Sequence, residues 1–316
     1  MSILIFIAFE ILTESGSILE SVNFSFSVWR NNIFPSLFPF FVLSEILTNY
    51  GFIELIGELF KPIMNRLFCI KSSCAFIFIM SLISGFPSNA KYTKELYLNG
   101  NINEQEASKI LTFTHFSNPL FILGTISVLF LNNKEVGLLI LICHYFTNII
   151  IGLIFRNYHK SPKESSKISI KQAILNMHNK RISNEKNFGQ IITSSLLNSI
   201  NTLLLVLGTV TLFLIITTII DNNINLSKYN QSILNGLFEM TQGLKYVSLL
   251  NIPLKIKSVL TTMIISFGGL SVHMQVISII SDTQIKYTPF FIARILHAFI
   301  ASFAVYILFD YWTTLL

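Results

Sequence analysis

Residues 191–220 form a continuous apolar segment that contains no charged side chain. A helix of about 20 such residues crosses the hydrocarbon core of a bilayer, because a helix satisfies its own backbone groups there. Charged residues make up only 12% of the chain, against about 25% in soluble domains. These features exclude a soluble enzyme and a disordered chain. They predict an all-α polytopic membrane protein with the lipid bilayer as its surroundings and room for about eight to ten membrane segments.

The net charge of +6 resides in one stretch of the chain. Residues 156–186 contain eight basic and two acidic side chains, so this stretch alone accounts for the whole excess. A basic run is compatible with nucleic-acid binding, but between apolar segments it is more typical of a cytoplasmic loop that follows the positive-inside rule. We therefore predict no nucleic-acid partner.

The basic loop divides the chain near its midpoint, and we predict four parts. These are a short N-terminal helix with an interfacial segment (1–32), a first gate repeat (33–156), the basic cytoplasmic loop (157–189) and a second gate repeat (190–316). The N-terminal apolar run lacks a basic flank and a small-residue cleavage site, so we do not expect a removable signal peptide.

The two repeats are predicted from a shared order of segments. Short apolar runs at 74–83 and 233–240 each end in a glycine-containing break, at Gly85 and within 241–245. A run this short followed by a break predicts a re-entrant helical hairpin. Longer helices are then interrupted at 114–119 and 268–271. We expect two inverted repeats, each with a re-entrant hairpin and a broken transmembrane helix, which is a pattern typical of secondary transporters.

The breaks also predict where a solute binds. Helix N-termini carry free N–H groups and a partial positive charge, so they favour a small anionic or planar polar solute. Hydroxyl, amide and basic side chains near the breaks extend such a site. The predicted substrate-binding residues are Ser88, Asn89, Lys91, His115, Ser117, Asn118, Thr241, Gln242, Ser271, His273, Gln275 and Arg294.

Several of these side chains have an alternative, structural role. The polar residues at the breaks can simply satisfy interrupted backbone, and Lys91 can extend to the membrane interface. Arg294 can form a structural ion pair or hydrogen bonds to a helix end. Glu239, next to the second break, is open to two interpretations, which are ion coupling and a structural pair. The sequence leaves the coupling ion and the oligomeric state open.

Other chemistry is not indicated. The chain lacks a Walker A motif, a dinucleotide-binding glycine motif and a nucleophile elbow. The intramembrane histidines have no spacing typical of metal ligands. We therefore predict neither an enzyme nor a primary pump, and no cofactor or metal.

Four segments resemble a known family. They are FPSLFPFFVLSE (34–45), SGFPSNAK (84–91), FTHFSNPLF (113–121) and FGGLSVHMQ (267–275), and they are similar to the family of sporulation integral membrane proteins called YlbJ or SpoVV. That family has the gate-domain architecture of concentrative nucleoside transporters and ferrous-iron permeases. The chain departs from it in its short first helix.

The resemblance implies a function in endospore formation. It implies a protein made in the mother cell that sits in the outer forespore membrane and moves dipicolinic acid, a planar dianion, toward the spore. Two alternatives remain open, which are a carrier of nucleosides or other small metabolites and a membrane scaffold for spore-envelope assembly.

Overall fold

The computed structural model describes residues 1–162, 164 and 168–315, and every regular element in those ranges is helical. Four helical stretches are long and apolar enough to cross a membrane: Lys134–Asn157, Phe188–Asn223, Leu254–Ile280 and Thr288–Thr314. A fifth arises if Ser15–Asn49 and Phe52–Phe68, bent by 90°, are taken as one span. The prediction of an all-helical membrane protein is confirmed. The spans among the described residues are fewer than eight because several apolar helices are only 10 or 11 residues long.

The N-terminal helices pack against the long central helix. They are α1 (Ser2–Thr13), α2 (Ser15–Val28), a π-helical turn (Trp29–Ile33) and α3 (Phe34–Asn49), and the central helix is α10 (Phe188–Asn223). The Ser25 and Thr211 hydroxyls are 2.8 Å apart, and Trp29 Nε1 donates to the Leu203 carbonyl at 2.9 Å. The mixed polar composition of α2 is thus explained by polar contacts along α10.

A left-handed residue ends α3. Gly51 has a φ of 80°, a conformation that glycine adopts without steric cost, and the chain turns into α4 (Phe52–Ile63). Helix α9 (Ile170–Ser183) from the basic loop packs on α4. The Ser169 amide, just before α9, donates to Glu58 Oε1 at 3.1 Å.

Two short antiparallel helices follow. They are α5 (Cys74–Ser84) and α6 (Ser88–Leu98), each 11 residues long, or about 16 Å. Lys71 Nζ, before α5, donates to the Asn101 carbonyl, after α6, at 2.6 Å. The pair therefore returns to the end from which it started, and its length is about half the 30 Å thickness of a hydrocarbon core.

The next helix is interrupted where the sequence predicts. Helix α7 (Glu104–Phe113) begins with a capping box from Asn103, residues 114–118 are not helical, and helical structure resumes at Pro119 and continues as a π-helix over Phe121–Phe130. The residues around Asn118 form the turn between these two helical stretches.

The later helices have the same order as the earlier ones. After α8 (Lys134–Ile154) and α10 come α11 (Lys228–Phe238), α12 (Met240–Leu249), α13 (Leu254–Phe267), α14 (Gly269–Ile280) and α15 (Thr288–Leu315). Helix α11 begins 154 residues after α5, at 228 and 74, and α15 begins 154 residues after α8, at 288 and 134.

Helices α8 and α15 run antiparallel to each other. Trp312 Nε1, near the end of α15, donates to the Glu135 carbonyl at the start of α8 at 3.0 Å. His297 Nε2, earlier in α15, donates to the His144 carbonyl, further along α8, at 2.9 Å. Two helices in corresponding places in the order therefore point in opposite directions.

Each pair of short helices is joined by a tight turn: the first tip is residues 85–87, between α5 and α6, and the second tip is Glu239, between α11 and α12. The second tip lies earlier in the chain than the sequence predicts. Helices α11 and α12 meet at Glu239, whereas 241–245 lie inside α12, so the prediction of a break at 241–245 is wrong. Gly243 serves close packing, because a Cβ there would lie 2.2 Å from the Gly236 Cα. Thr241 and Gln242 consequently occupy the first turn of α12.

Candidate functional site

The two helix pairs meet around one small cavity, which also borders α3, α10 and α14. Water centres can occupy about 30 Å³ of it, enough for about two water molecules. Its polar lining residues are Ser36, Ser117, Asn118, Glu239, Thr241 and Gln275. Its apolar lining includes Phe86 and Phe121 beside the first tip and Val206 and Val210 from α10. The cavity thus joins elements that lie far apart in the sequence.

Asn118 connects the first tip to the interrupted helix. Its Oδ1 accepts from the Leu120 and Phe121 amides at 2.8 and 3.3 Å, so it caps the helix that starts there. Its Nδ2 lies 3.1 Å from the Ile83 carbonyl and 3.3 Å from the Ser84 carbonyl, both at the end of α5. A single buried amide therefore satisfies backbone groups of both elements.

Gly85 lets these two elements approach each other. Its backbone has φ 75° and ψ −177°, and a Cβ would lie 2.6 Å from the Asn118 nitrogen. The Phe86 amide donates to the Phe116 carbonyl at 2.8 Å across the same contact. Residues 85 and 86 therefore pack closely against the non-helical residues 114–118.

The second tip has an acidic cap. Glu239 Oε2 accepts from the Gln242 amide at 2.9 Å and from the Thr241 hydroxyl, so it caps α12. Its other oxygen, Oε1, is buried without a hydrogen-bond partner. Gly269 at the start of α14 packs on this tip, since a Cβ there would lie 3.0 Å from the Met240 nitrogen.

Arg294 is buried beside the first break and away from the cavity. Its terminal nitrogens donate to the Thr112 and His115 carbonyls at 2.5 and 3.4 Å. They also donate to Asn148 Oδ1 at 3.2 Å and His297 Nδ1 at 2.8 Å. A cation at the C-terminal end of a helix is favoured by the helix dipole. Arg294 therefore closes the end of α7, and these contacts engage both of its terminal nitrogens.

Three further histidines lie near the hydrogen bonds of Arg294. His144 accepts from the Ser117 amide at 3.0 Å through Nε2. The His115 ring stacks on Phe86, with centroids 4.7 Å apart, and both of its ring nitrogens lack a hydrogen-bond partner. His273 Nδ1 lies 2.6 Å from the Tyr287 hydroxyl. None of these three rings lines the cavity.

Lys91 forms an ion pair at a distance from the cavity. Its Nζ lies 2.6 Å from Glu45 Oε1 on α3, and the other Glu45 oxygen accepts from Asn198 Nδ2 on α10 at 3.1 Å. Lys91 thus connects α6 to α3 and α10. Asn89, two residues earlier and fully buried, has neither of its amide atoms hydrogen-bonded.

The structure brings together part of the predicted set. Ser117, Asn118, Thr241 and Gln275 line the cavity. Ser271 lies next to Glu239, and Gln242 is in the first turn of α12. The predicted residues that do not line the cavity are Ser88, Asn89, Lys91, His115, Gln242, Ser271, His273 and Arg294. Substrate contact by any of these side chains stays a prediction.

Sequence reasoning gave Glu239 a role in ion coupling or a structural pair and did not count it, or the residues from α3 and α10, among the substrate-binding residues. The available signal for Glu239 was an acidic residue three positions before Gln242, the spacing of a side-chain cap. Ser36, Val206 and Val210 gave no local signal, because their position at the cavity depends on long-range helix packing.

Two comparisons place these features among known proteins. The family model "Gate: Nucleoside recognition" matches residues 32–139, a range that includes the first tip and the first break. The sporulation integral membrane protein YlbJ of Bacillus subtilis (strain 168) is 31% identical over 331 aligned residues, covering 97% of this chain and 81% of the relative. No solved structure matches this chain.

Proposed function

Because the chain belongs to the family of sporulation integral membrane proteins that includes YlbJ, we propose that it is a membrane transporter of endospore formation with dipicolinate as its substrate. It acts in the outer forespore membrane, on the mother-cell side, and moves this dianion toward the spore. The chain is an integral membrane protein, and its function is transport rather than catalysis.

The cavity at the meeting point of the two tips carries this proposal. Phe86 and Asn118 line it from one helix pair, and Glu239 and Thr241 line it from the other. A scaffold for envelope assembly has no need of a cavity between two buried helix tips. Interrupted helices deep in a membrane protein are tolerated where they line a cavity, which favours a solute pathway.

The helix directions support an inverted repeat. Helices α8 and α15 begin 154 residues apart and run antiparallel. The start of α7 is tied to the basic loop, since Ser161 Oγ donates to Glu106 Oε1 at 2.5 Å. The start of α13 instead lies near the end of α15, where Lys255 Nζ is 2.5 Å from Asp310. Two repeats of opposite orientation are the architecture of many transporters.

The helix ends at the cavity favour an anion. Helices begin at Pro119, Met240 and Gly269, and Asn118, Met240 and Val272 line the cavity. The positive end of a helix dipole stabilises negative charge. The cavity has space for about two waters, so the structure is a closed conformation, and the tips must separate to admit a ring-sized solute.

A nucleoside carrier is the second candidate. It is favoured by the match of residues 32–139 to the family model "Gate: Nucleoside recognition". Unpartnered amide and hydroxyl groups at the cavity, such as those of Gln275 and Ser117, are also suited to hydrogen bonds with an uncharged base or sugar.

Uptake by the purified protein in liposomes tests the proposal. We expect saturable uptake of labelled dipicolinate that excess nucleoside does not inhibit; inhibition by nucleosides would favour the second candidate. Ser117→Ala should raise the KM about 10- to 150-fold, the effect of one hydrogen bond to a charged group. The Ser117 hydroxyl has no partner within the protein, so its removal breaks no internal bond.

Ser195→Ala is the matched control. The Ser195 hydroxyl is also buried without a partner, but it does not line the cavity, so its KM should equal that of the wild type. Absence of uptake by the folded wild-type protein, together with normal dipicolinate content in spores of a deletion strain, would refute the proposed function.

A further inference from the structure

Glu239 places a carboxyl group in a cavity assigned to an anion. Among the residues that the structure describes along the cavity wall, it is the one titratable acid, and no lysine or arginine lines that wall. Its side chain is only 1% exposed. Two like charges in a water-poor site repel each other far more strongly than in water, so an ionised Glu239 opposes anion binding.

From this conflict we infer that Glu239 takes up one proton when the anionic substrate binds, so that transport is coupled to protons. The inference rests on the proposed function and adds the coupling ion to it. The proton adds to a carboxylate oxygen, and no other bond is made or broken. The neutral carboxyl group then no longer repels the substrate.

The hydrogen bonds around Glu239 differ for its two oxygens. Oε2 accepts from the Gln242 amide and the Thr241 hydroxyl, whereas Oε1 has no partner. Protonation at Oε1 therefore leaves the cap of α12 intact. The free oxygen is the one atom of this side chain that can gain a proton without loss of an existing bond.

The neighbouring groups fit a proton donor. The hydroxyl of Ser271 lies beside the Glu239 carboxyl group, and the buried carbonyl oxygens of Gln275 and Gln242 have no hydrogen-bond partners. A carboxylate only accepts hydrogen bonds, while a protonated carboxyl group also donates one. The protonated form can therefore satisfy an acceptor that the ionised form leaves unpaired.

Nearby basic groups are engaged elsewhere. Lys91 pairs with Glu45, and the terminal nitrogens of Arg294 donate to the end of α7 and its neighbours. Lys245 lies 4.3 Å from the centroid of the Phe24 ring. Within the described residues, Glu239 has no ion pair that would hold it in the charged form.

A second opening into the protein, called here the vestibule, lies next to α12. It is a cavity of about 210 Å³, and its lining includes Asp221, Gln242 and Tyr246. Gln242 Nε2 lies 3.4 Å from the Tyr246 hydroxyl, which lies 3.4 Å from Asp221 Oδ2. Gln242 is three residues from Glu239, so a side chain within one helical turn of the second tip borders this vestibule.

Other titratable groups lie on the helices around the second tip. They lie on α10, α11, α12, α13 and α14, and they are Asp221, Lys228, Tyr229, Lys245, Tyr246, Lys255, Lys257 and His273. Among the described contacts, none of them is hydrogen-bonded to Glu239. A pH dependence that depends on Glu239 is therefore separable from theirs by substitution of this one residue.

The test measures dipicolinate uptake into liposomes at equal internal and external pH, from about pH 6 to pH 9, where both substrate carboxyl groups are ionised. We expect the KM of the wild type to rise up to about tenfold per pH unit, because one proton is bound with each substrate. Glu239→Gln, which is neutral throughout, should show a KM independent of pH. Glu135→Gln, the same change at an exposed residue outside the cavity, should retain the wild-type dependence.

A second measurement does not depend on the variants. A pH-sensitive dye inside liposomes with wild-type protein should report about one proton entering with each dipicolinate. Uptake without proton movement and with a pH-independent KM would overturn the inference while leaving the proposed function in place. Failure of the wild type to transport dipicolinate at all would instead refute the proposed function.

Discussion

Substitution of Gly85 by alanine should separate the first tip from the interrupted helix. A Cβ at this position would lie 2.6 Å from the Asn118 nitrogen, and ordinary contact begins at 3.4 Å, so the two elements must move apart by about 0.8 Å. The Phe86–Phe116 hydrogen bond, 2.8 Å long, would lengthen to as much as about 3.6 Å, beyond the range of such bonds.

The expected cost has two parts. The backbone of Gly85, with φ 75° and ψ −177°, lies in a region nearly restricted to glycine, and alanine is strained there by about 1–3 kcal/mol. Overpacking adds about 1–3 kcal/mol. The sum is about 2–6 kcal/mol, and about 2 kcal/mol alone changes the population of the closed arrangement by about thirtyfold.

Two assays measure this effect. We expect Gly85→Ala to lower the midpoint of thermal unfolding in detergent and to reduce dipicolinate uptake in liposomes. Gly208→Ala is the control, because Gly208 lies in α10 with no atom within 4 Å of an added Cβ, and alanine there favours the helix by about 1 kcal/mol. If Gly85→Ala unfolds at the same temperature as Gly208→Ala and transports equally well, the steric reasoning is wrong.

Two further substitutions test contacts between distant helices. Arg294→Lys keeps the charge but cannot reproduce the planar fork that reaches several acceptors. We therefore expect a loss of about 2–4 kcal/mol in the free energy of unfolding, measured as a lower midpoint of thermal unfolding. An unchanged midpoint would contradict the role of Arg294 at the end of α7. The 2.6 Å Lys91–Glu45 ion pair is tested with Lys91→Met and Glu45→Gln, alone and combined. Their effects on the free energy of unfolding should differ from additivity by a coupling energy of about 0.5–3 kcal/mol. Additive effects would show that the pair contributes no interaction of its own.

Local signals predicted the first break, at 114–119. The structure shows that an asparagine caps the helix on each side of it: Asn103 caps α7 and Asn118 caps the helix that starts at Pro119. Such interactions depend only on residues within one turn. The sequence therefore contains all the information that they require.

The second tip shows where local signals mislead. Gly243 is part of a helix, and its role is to let α12 approach Gly236 on α11. A glycine needed for close packing and a glycine needed for a turn look alike in a single sequence. The actual turn residue, Glu239, is neither glycine nor proline, and its backbone has an ordinary extended conformation.

Long-range partners were beyond sequence reasoning altogether. The role of Arg294 depends on carbonyls at Thr112 and His115, about 180 residues earlier in the chain. A structural role was one of the two predicted for it, but its partners could not be predicted, because no local pattern specifies which distant backbone groups a guanidinium meets. The same holds for the contribution of Val206 and Val210 to the cavity wall.

The antiparallel contact of α8 with α15 determines how the chain can be divided. Cleavage in the basic loop would leave Arg294 and His297 on one fragment and their acceptors, including the His144 carbonyl, on the other. A fragment that ends after α8 lacks the guanidinium that closes α7, and the remaining fragment contains Arg294 without its acceptors at Thr112, His115 and Asn148. The two halves of the sequence are thus a single folding unit, and separately expressed fragments can reach the native state only by assembling with each other.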